Sequence, residues 1–104
     1  MKAYKLFEKS KLGATVLLNR IVMATITRCR AIDNIPNKLM SYYYEQRSQA
    51  GLIITEGTSP SPNGMGYARI PGIFSKQQIE GWKIVTNAVH SNYGKIFIQL
   101  MHCG

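Results

Sequence analysis

Three short apolar runs separated by two helix-forming segments constrain this chain more than any other feature. Ile21-Val22-Met23-Ala24-Thr25-Ile26 is continuously apolar rather than alternating, the pattern of a strand buried on both faces. Asn37 can cap a helix whose apolar positions Leu39, Met40, Tyr43, Tyr44 and Ala50 recur at helical spacing, with Gly51 where a left-handed C-terminal residue belongs. Leu52-Ile53-Ile54-Thr55-Glu56-Gly57 then reads as a second buried strand. A capping box, Ser75 with Gln78, opens a second helix with Ile79, Trp82, Val85 and Val89 on one face, running up to Asn92-Tyr93-Gly94. Lys95-Ile96-Phe97-Ile98-Gln99-Leu100 follows as a third strand, and Lys11 to Arg20 predicts an earlier hairpin turning at Gly13.

The order β-α-β-α-β, with crossovers long enough for right-handed parallel pairing, predicts an α/β protein with a parallel sheet. Doubly wound folds and (β/α) barrels both begin this way. In either, ligand residues belong at the C-terminal strand ends, which here are residues 24–27, 56–57 and 99–102. Residues 58–72, with Pro60, Pro62, Gly64, Gly66, Pro71 and Gly72, form a loop long enough to suggest a functional one.

Composition narrows the classes. At 104 residues and 45% hydrophobic, the chain is one globular domain or part of one, and no stretch approaches the roughly 18 apolar residues of a membrane helix. Its net charge of +8 is uneven: residues 1–30 carry +6 and residues 31–104 only +2. The basic residues stand singly among apolar ones, which is not the clustered pattern of nucleic-acid binding, so neither nucleic acid nor membrane is an expected partner. The excess charge also suits a slice of a larger protein whose acidic residues lie elsewhere. The basic start Met1-Lys2-Ala3-Tyr4-Lys5 runs into Phe7-Glu8-Lys9 instead of an apolar segment, so no signal peptide is expected. Cys29 and Cys103 are too few for a disulfide framework, and reduced thiols point to a cytoplasmic setting.

Generic motifs are few. No glycine-rich phosphate loop opens a helix, and Gly64-Met65-Gly66 lies inside the long loop. No strand-turn-helix serine elbow is present. His90 near a helix end suits the dipole better than catalysis, and His102 beside Cys103, in a chain with two of each residue, is a weak metal or nucleophile candidate.

The residues become specific in Asn19-Arg20-Ile21-Val22-Met23-Ala24-Thr25-Ile26-Thr27-Arg28-Cys29-Arg30, which resembles the opening strand of the old yellow enzyme family of flavin ene-reductases. Tyr43-Tyr44-Glu45-Gln46-Arg47, residues 50–58, residues 66–73, Gly81-Trp82-Lys83, Ala88-Val89-His90 and Gln99-Leu100-Met101-His102 resemble that family's successive signatures, in order, so that the likeness covers residues 6–104.

The resemblance implies the N-terminal portion of a (β/α)8 barrel that holds FMN at its C-terminal mouth. The family's flavin is reduced by NAD(P)H and oxidised by an α,β-unsaturated carbonyl or nitro compound. By the same resemblance, Ala24, Thr25, Ile26 and Thr27 lie along the flavin, with the Thr27 hydroxyl at its O4 edge, where a donor stabilises the reduced ring. Gly57 matches the position where backbone approaches the ring. Gln99, expected to be buried in its strand, would offer its amide to the pyrimidine edge. Two departures stand out: Thr25 replaces a usual proline, and Met101 replaces a frequent tryptophan lining the substrate pocket, which a flexible thioether would reshape.

Such barrels take about 250 residues. The third strand is the last one legible here, so the whole of residues 1–104 is expected to be a partial FMN-binding barrel domain. The family's carbonyl-binding His-Asn or His-His pair, its proton-donating tyrosine, the arginine near N1 and the phosphate site map to no residue of this chain, and His90 and His102 are not assigned to them. The expectation is a piece of an ene-reductase, from a truncated or split gene or a partial gene model, inactive alone. Its exposed sheet edges would serve self-association or a complementing fragment; the competing expectation is a non-enzymatic interaction module.

Overall fold

The computed structural model describes residues 4–104, so Met1, Lys2 and Ala3 of the targeting argument lie outside the described residues. Ser10–Leu12 (β1) and Thr15–Leu17 (β2) form the expected hairpin, antiparallel with Lys11 opposite Val16. Gly13 turns it at φ +59°, a conformation open to a residue without Cβ.

The three apolar runs become Val22–Met23 (β3), Leu52–Thr58 (β4) and Ile96–Leu100 (β5), a parallel sheet in the order β3-β4-β5. The crossovers carry Lys38–Glu45 (α1) and Lys76–Ser91 (α2). Both helices start where the sequence placed them. Asn37 Oδ1 accepts from Met40 N at 3.0 Å, and Ser75 Oγ accepts from Gln78 N at 3.2 Å while Gln78 Oε1 accepts from Ser75 N at 3.0 Å. Each cap satisfies first-turn N–H groups that have no intrahelical partner.

The two helices pack side by side on one face of the sheet. Met40 and Tyr44 of α1, Trp82, Val85 and Val89 of α2, Ile53 of β4 and Ala31 form one buried cluster, with Met23, Ile96 and Ile98 packed against it. The Trp82 indole N–H donates to Gly72 O at 3.2 Å, which ties the long loop to the core. Asn34 Nδ2 donates to Ile70 O at 2.8 Å and Gly72 N to Asn34 O at 3.0 Å, so the two loops beyond the strand ends brace each other.

Four expectations need correction. The first strand is two residues long, not six, and its sheet is open on the face away from the helices: Ile21, Val22 and Ile26 are exposed rather than buried on both sides. A continuous apolar run records eventual burial, and among the described residues nothing covers that face. Gly51 does not end α1 in a left-handed turn. The helix stops at Glu45 with Gln46 still right-handed at φ −61°, and Gly51 is instead required by contact, since a Cβ there would strike the backbone of Asn19. Leu39 and Ile79, placed on apolar helix faces by their spacing, are exposed. Gln99 is likewise exposed, because it faces the open side of β5.

Candidate functional site

The β4–β5 ladder slips once. Ile54 pairs with Phe97 and Gly57 with Gln99, so three steps along β4 match two along β5. This β-bulge turns the strand by one residue, a device common beside active sites because it re-aims side chains. Ile53 lies on the helix side before the bulge, and Glu56 lies on the helix side after it, where Tyr44 O–H donates to Glu56 Oε2 at 2.7 Å. The same phenol oxygen accepts from Glu56 N at 2.9 Å. Gly57 is thereby delivered to the open face, level with Gln99.

Burial sets the chemistry of the pair. Desolvation, and secondarily the neighbouring Glu56 carboxylate, push the Tyr44 phenol far above its ordinary range. Desolvation also raises the Glu56 carboxyl, opposed by the Tyr44 hydrogen bond and by the Arg28 charge. Glu56 Oε1 is buried without a hydrogen-bond partner.

The three strand ends lie side by side, as the sheet order requires. Beyond Met23 the chain continues through Ala24, Thr25, Ile26 and Thr27 with no hydrogen bond to their backbone groups among the described residues; Thr25 is half-buried and the other three exposed. Gln99 presents its side chain to the open face while its N–H donates to Thr55 Oγ1 at 3.2 Å. Met101 N donates to Thr58 O at 2.9 Å, and the Met101 thioether fills the space a Cβ would take at Gly57. Gly57, Gln99 and Met101 thus share one face, and residues 24–27 border it from the neighbouring strand. His90 is exposed in the last turn of α2, ahead of the start of β5 rather than at the C-terminal end of a strand. His102 and Cys103 are exposed beyond β5, where Cys103 N donates to Gly64 O at 2.9 Å. No group of three potential metal ligands occurs among the described residues.

Other residues of the site escaped the sequence reading. Asn19 pins the starts of β3 and β4 together: its Oδ1 accepts from Gly51 N at 2.7 Å and Ile21 N at 3.0 Å, and its Nδ2 donates to Gln49 O at 2.8 Å. Just past Thr27, the Arg28 guanidinium lies 3.5 Å from the centroid of the Tyr43 ring, and Arg47 lies 3.8 Å from it. The visible signal was the lone acid in an apolar strand, since Glu56 had to find a partner somewhere.

These residues suit the flavin that the resemblance implies. A heterocycle rich in donors and acceptors needs free backbone groups and an amide beside an open face, and residues 24–27 with Gln99 supply both. A ring over Gly57 requires the Met101 thioether to rotate aside, which its unbranched side chain allows.

Comparison with known proteins bears on the family. The sequence profile of the NADH:flavin oxidoreductase / NADH oxidase family matches residues 5–104. The chain is 43% identical over 104 residues to 12-oxophytodienoate reductase 7 of Oryza sativa subsp. japonica, covering 99% of this chain and 26% of that protein. It is 45% identical over 105 residues to flavin oxidoreductase hxnT of Emericella nidulans, covering 95% and 27%. Among solved structures, morphinone reductase in complex with tetrahydroNAD superposes with a TM-score of 0.94 at 46% identity, over 98% of this chain and 28% of that one. The old yellow enzyme from Trypanosoma cruzi superposes at 0.92 and 47%, over 96% and 27%. The chain spans about a quarter of the length of the curated relatives it matches.

Proposed function

The chain belongs to the NADH:flavin oxidoreductase / NADH oxidase family, its three parallel strands being a portion of the old yellow enzyme (β/α)8 barrel; from that premise we propose that residues 1–104 are a partial FMN-binding domain that supplies one wall of a flavin site. The reaction served is NAD(P)H-dependent reduction of an α,β-unsaturated carbonyl or nitro compound, in the cytoplasm. The observation that carries this reading is the run of unpaired backbone at residues 24–27 beside the open face shared by Gly57 and Gln99. Within the site, Ala24, Thr25 and Ile26 bind through backbone groups, and the Thr27 hydroxyl donates at the O4 edge. Gln99 orients the pyrimidine edge with its amide, and Met101 shapes the substrate pocket. FMN, when bound, supplies the hydride chemistry. No residue of the chain is assigned as proton donor or carbonyl clamp, so the isolated chain is inactive as an ene-reductase.

The test is the visible spectrum of the purified chain after incubation with FMN and removal of free flavin. A retained, perturbed flavin band that weakens in Thr27→Val supports the reading. A colourless wild-type chain counts against autonomous flavin binding. Reduction of cyclohexenone by the chain and NAD(P)H, faster than with free FMN, would overturn the claim of inactivity.

A second reading rests on the open sheet face, where Val22 and Phe97 are 47% and 48% exposed. β3 and β5 each have one edge unpaired among the described residues. Such a surface suits a polypeptide carrying further strands, or a second copy of this chain. Sedimentation of the chain across a concentration series tests the latter: a monomer at all concentrations removes self-association.

A further inference from the structure

Two polar groups, Glu56 near the end of β4 and Arg28 in the segment that follows β3, lack partners. Glu56 is 1% exposed, one carboxylate oxygen accepts from Tyr44, and the other, Oε1, has no donor. A buried carboxylate left half-satisfied is an expensive arrangement unless a cation meets it. Arg28 has five N–H donors, yet its guanidinium makes no hydrogen bond or ion pair among the described residues and rests only on the Tyr43 ring. Tyr43 in turn meets Tyr44 edge-on, with ring centroids 5.3 Å apart, and Tyr44 carries Glu56. The unpaired donor and the unpaired acceptor therefore stand at two ends of one short stack.

Arg28 is also the cation free to leave. Arg47, on the same ring, is anchored by Nη1 donating to Tyr43 O at 2.9 Å, and it can keep the aromatic contact alone.

The geometry points to Glu56 as a positioning residue: its free oxygen binds the Arg28 guanidinium, and this pair fixes residues 24–27 against β4. Arg28 directly follows Thr27, and Glu56 directly precedes Gly57, so one ion pair sets the spacing of two strand ends. The bulge makes this possible by placing Glu56 on the helix side, away from the open face. The groups acting on Glu56 are Tyr44 and Arg28, while Trp82, Val85 and Val89 of α2 in the same core bring no charge. The flavin reading enters only through what residues 24–27 contact; the pair itself can be read without flavin.

The experiment is a 13C NMR titration of the Glu56 carboxyl in the full chain, wild type against Arg28→Ala and Arg28→Lys. Removing the cation should raise the Glu56 midpoint by about one pH unit, and lysine should restore part of the difference. In Glu56→Gln, amide exchange at residues 24–28 should quicken several-fold. Equal midpoints in wild type and Arg28→Ala overturn the pairing, and unchanged exchange overturns the positioning. Should Glu56→Gln not fold, exchange is read in Arg28→Ala, which removes only a half-buried side chain. If the wild type binds FMN, Arg28→Ala should weaken it several-fold. A wild type that retains no FMN counts against the flavin reading alone, since titration and exchange still decide the pair.

Discussion

The helix side and the open side of the sheet are built from the same kinds of residue and meet opposite fates. Ile53 is 0% exposed beneath α1 and α2, whereas Phe97, bonded into the neighbouring strand and facing the other way, is 48% exposed. Both are large and apolar, so hydrophobicity alone does not separate them. What separates them is whether other elements of the chain return to that side. The helix side is closed by two crossovers with satisfied caps and a buried Trp82. The open side holds Gly57, Gln99 and Met101 and is closed by nothing among the described residues. The difference teaches that the core and the proposed flavin wall occupy different faces here: what lies under the helices holds the sheet, and what lies opposite is left uncovered among the described residues.

The sharpest way to break this contrast is truncation under the helices. Trp82→Ala should cost about 3–5 kcal/mol in urea unfolding, enough to unfold a chain of this size. A cost below about 1 kcal/mol would show that the helix side is not the core. Removing the capping box with Ser75→Ala should cost about 1 kcal/mol, through the lost first-turn bond and with the helix otherwise intact by circular dichroism.

A third measurement concerns pH. Burial raises the Glu56 carboxyl above its ordinary 4.5, so the folded state holds this proton more tightly than the unfolded state. Its contribution to stability is therefore present below pH 4.5 and is lost as pH rises through the folded value. The stability of wild type relative to Glu56→Gln should fall over that window, and a flat difference would mean that Glu56 titrates as an ordinary carboxylate. The smallest effect belongs to the open face, where Phe97→Ser should change monomer stability by no more than about 0.5 kcal/mol. A larger loss would mean that something covers Phe97 in solution.

Local signals in the sequence were legible. Asn37 and Ser75 cap their helices as their side chains dictate, Gly13 turns the hairpin, and the three apolar runs pair in parallel. The β-α-β-α-β order located the strand ends, residues 24–27, 56–57 and 99–102, on one edge, and the family resemblance then assigned them to a flavin. Burial was less legible, because it depends on what arrives from elsewhere. Ile21, Val22 and Ile26 have the composition of an interior strand, and Gln99 was expected to share that interior, yet all four are exposed. Gly51 looked like a helix stop and is instead a point of contact with Asn19, a partner 32 residues away. The Tyr44–Glu56 pair spans 12 residues and two elements, so neither residue announced the other.

The slip between Ile54 and Gly57 also governs how β4 tolerates change. A strand is normally read by parity, with odd and even positions belonging to opposite sides. Here parity inverts partway: Ile53 is odd and faces the helices, while Glu56 and Thr58 are even and lie on that same side. Deleting a single residue inside the slip would restore uniform parity. Ile54 would still face Phe97 and Gly57 would still face Gln99, so both flanks would keep their sides and what would be lost is the extra residue and the local turn it gives the strand. The slip is thus a place where β4 can lose a residue without exchanging the faces of its flanks, and what the extra residue supplies is local twist rather than the alternation itself.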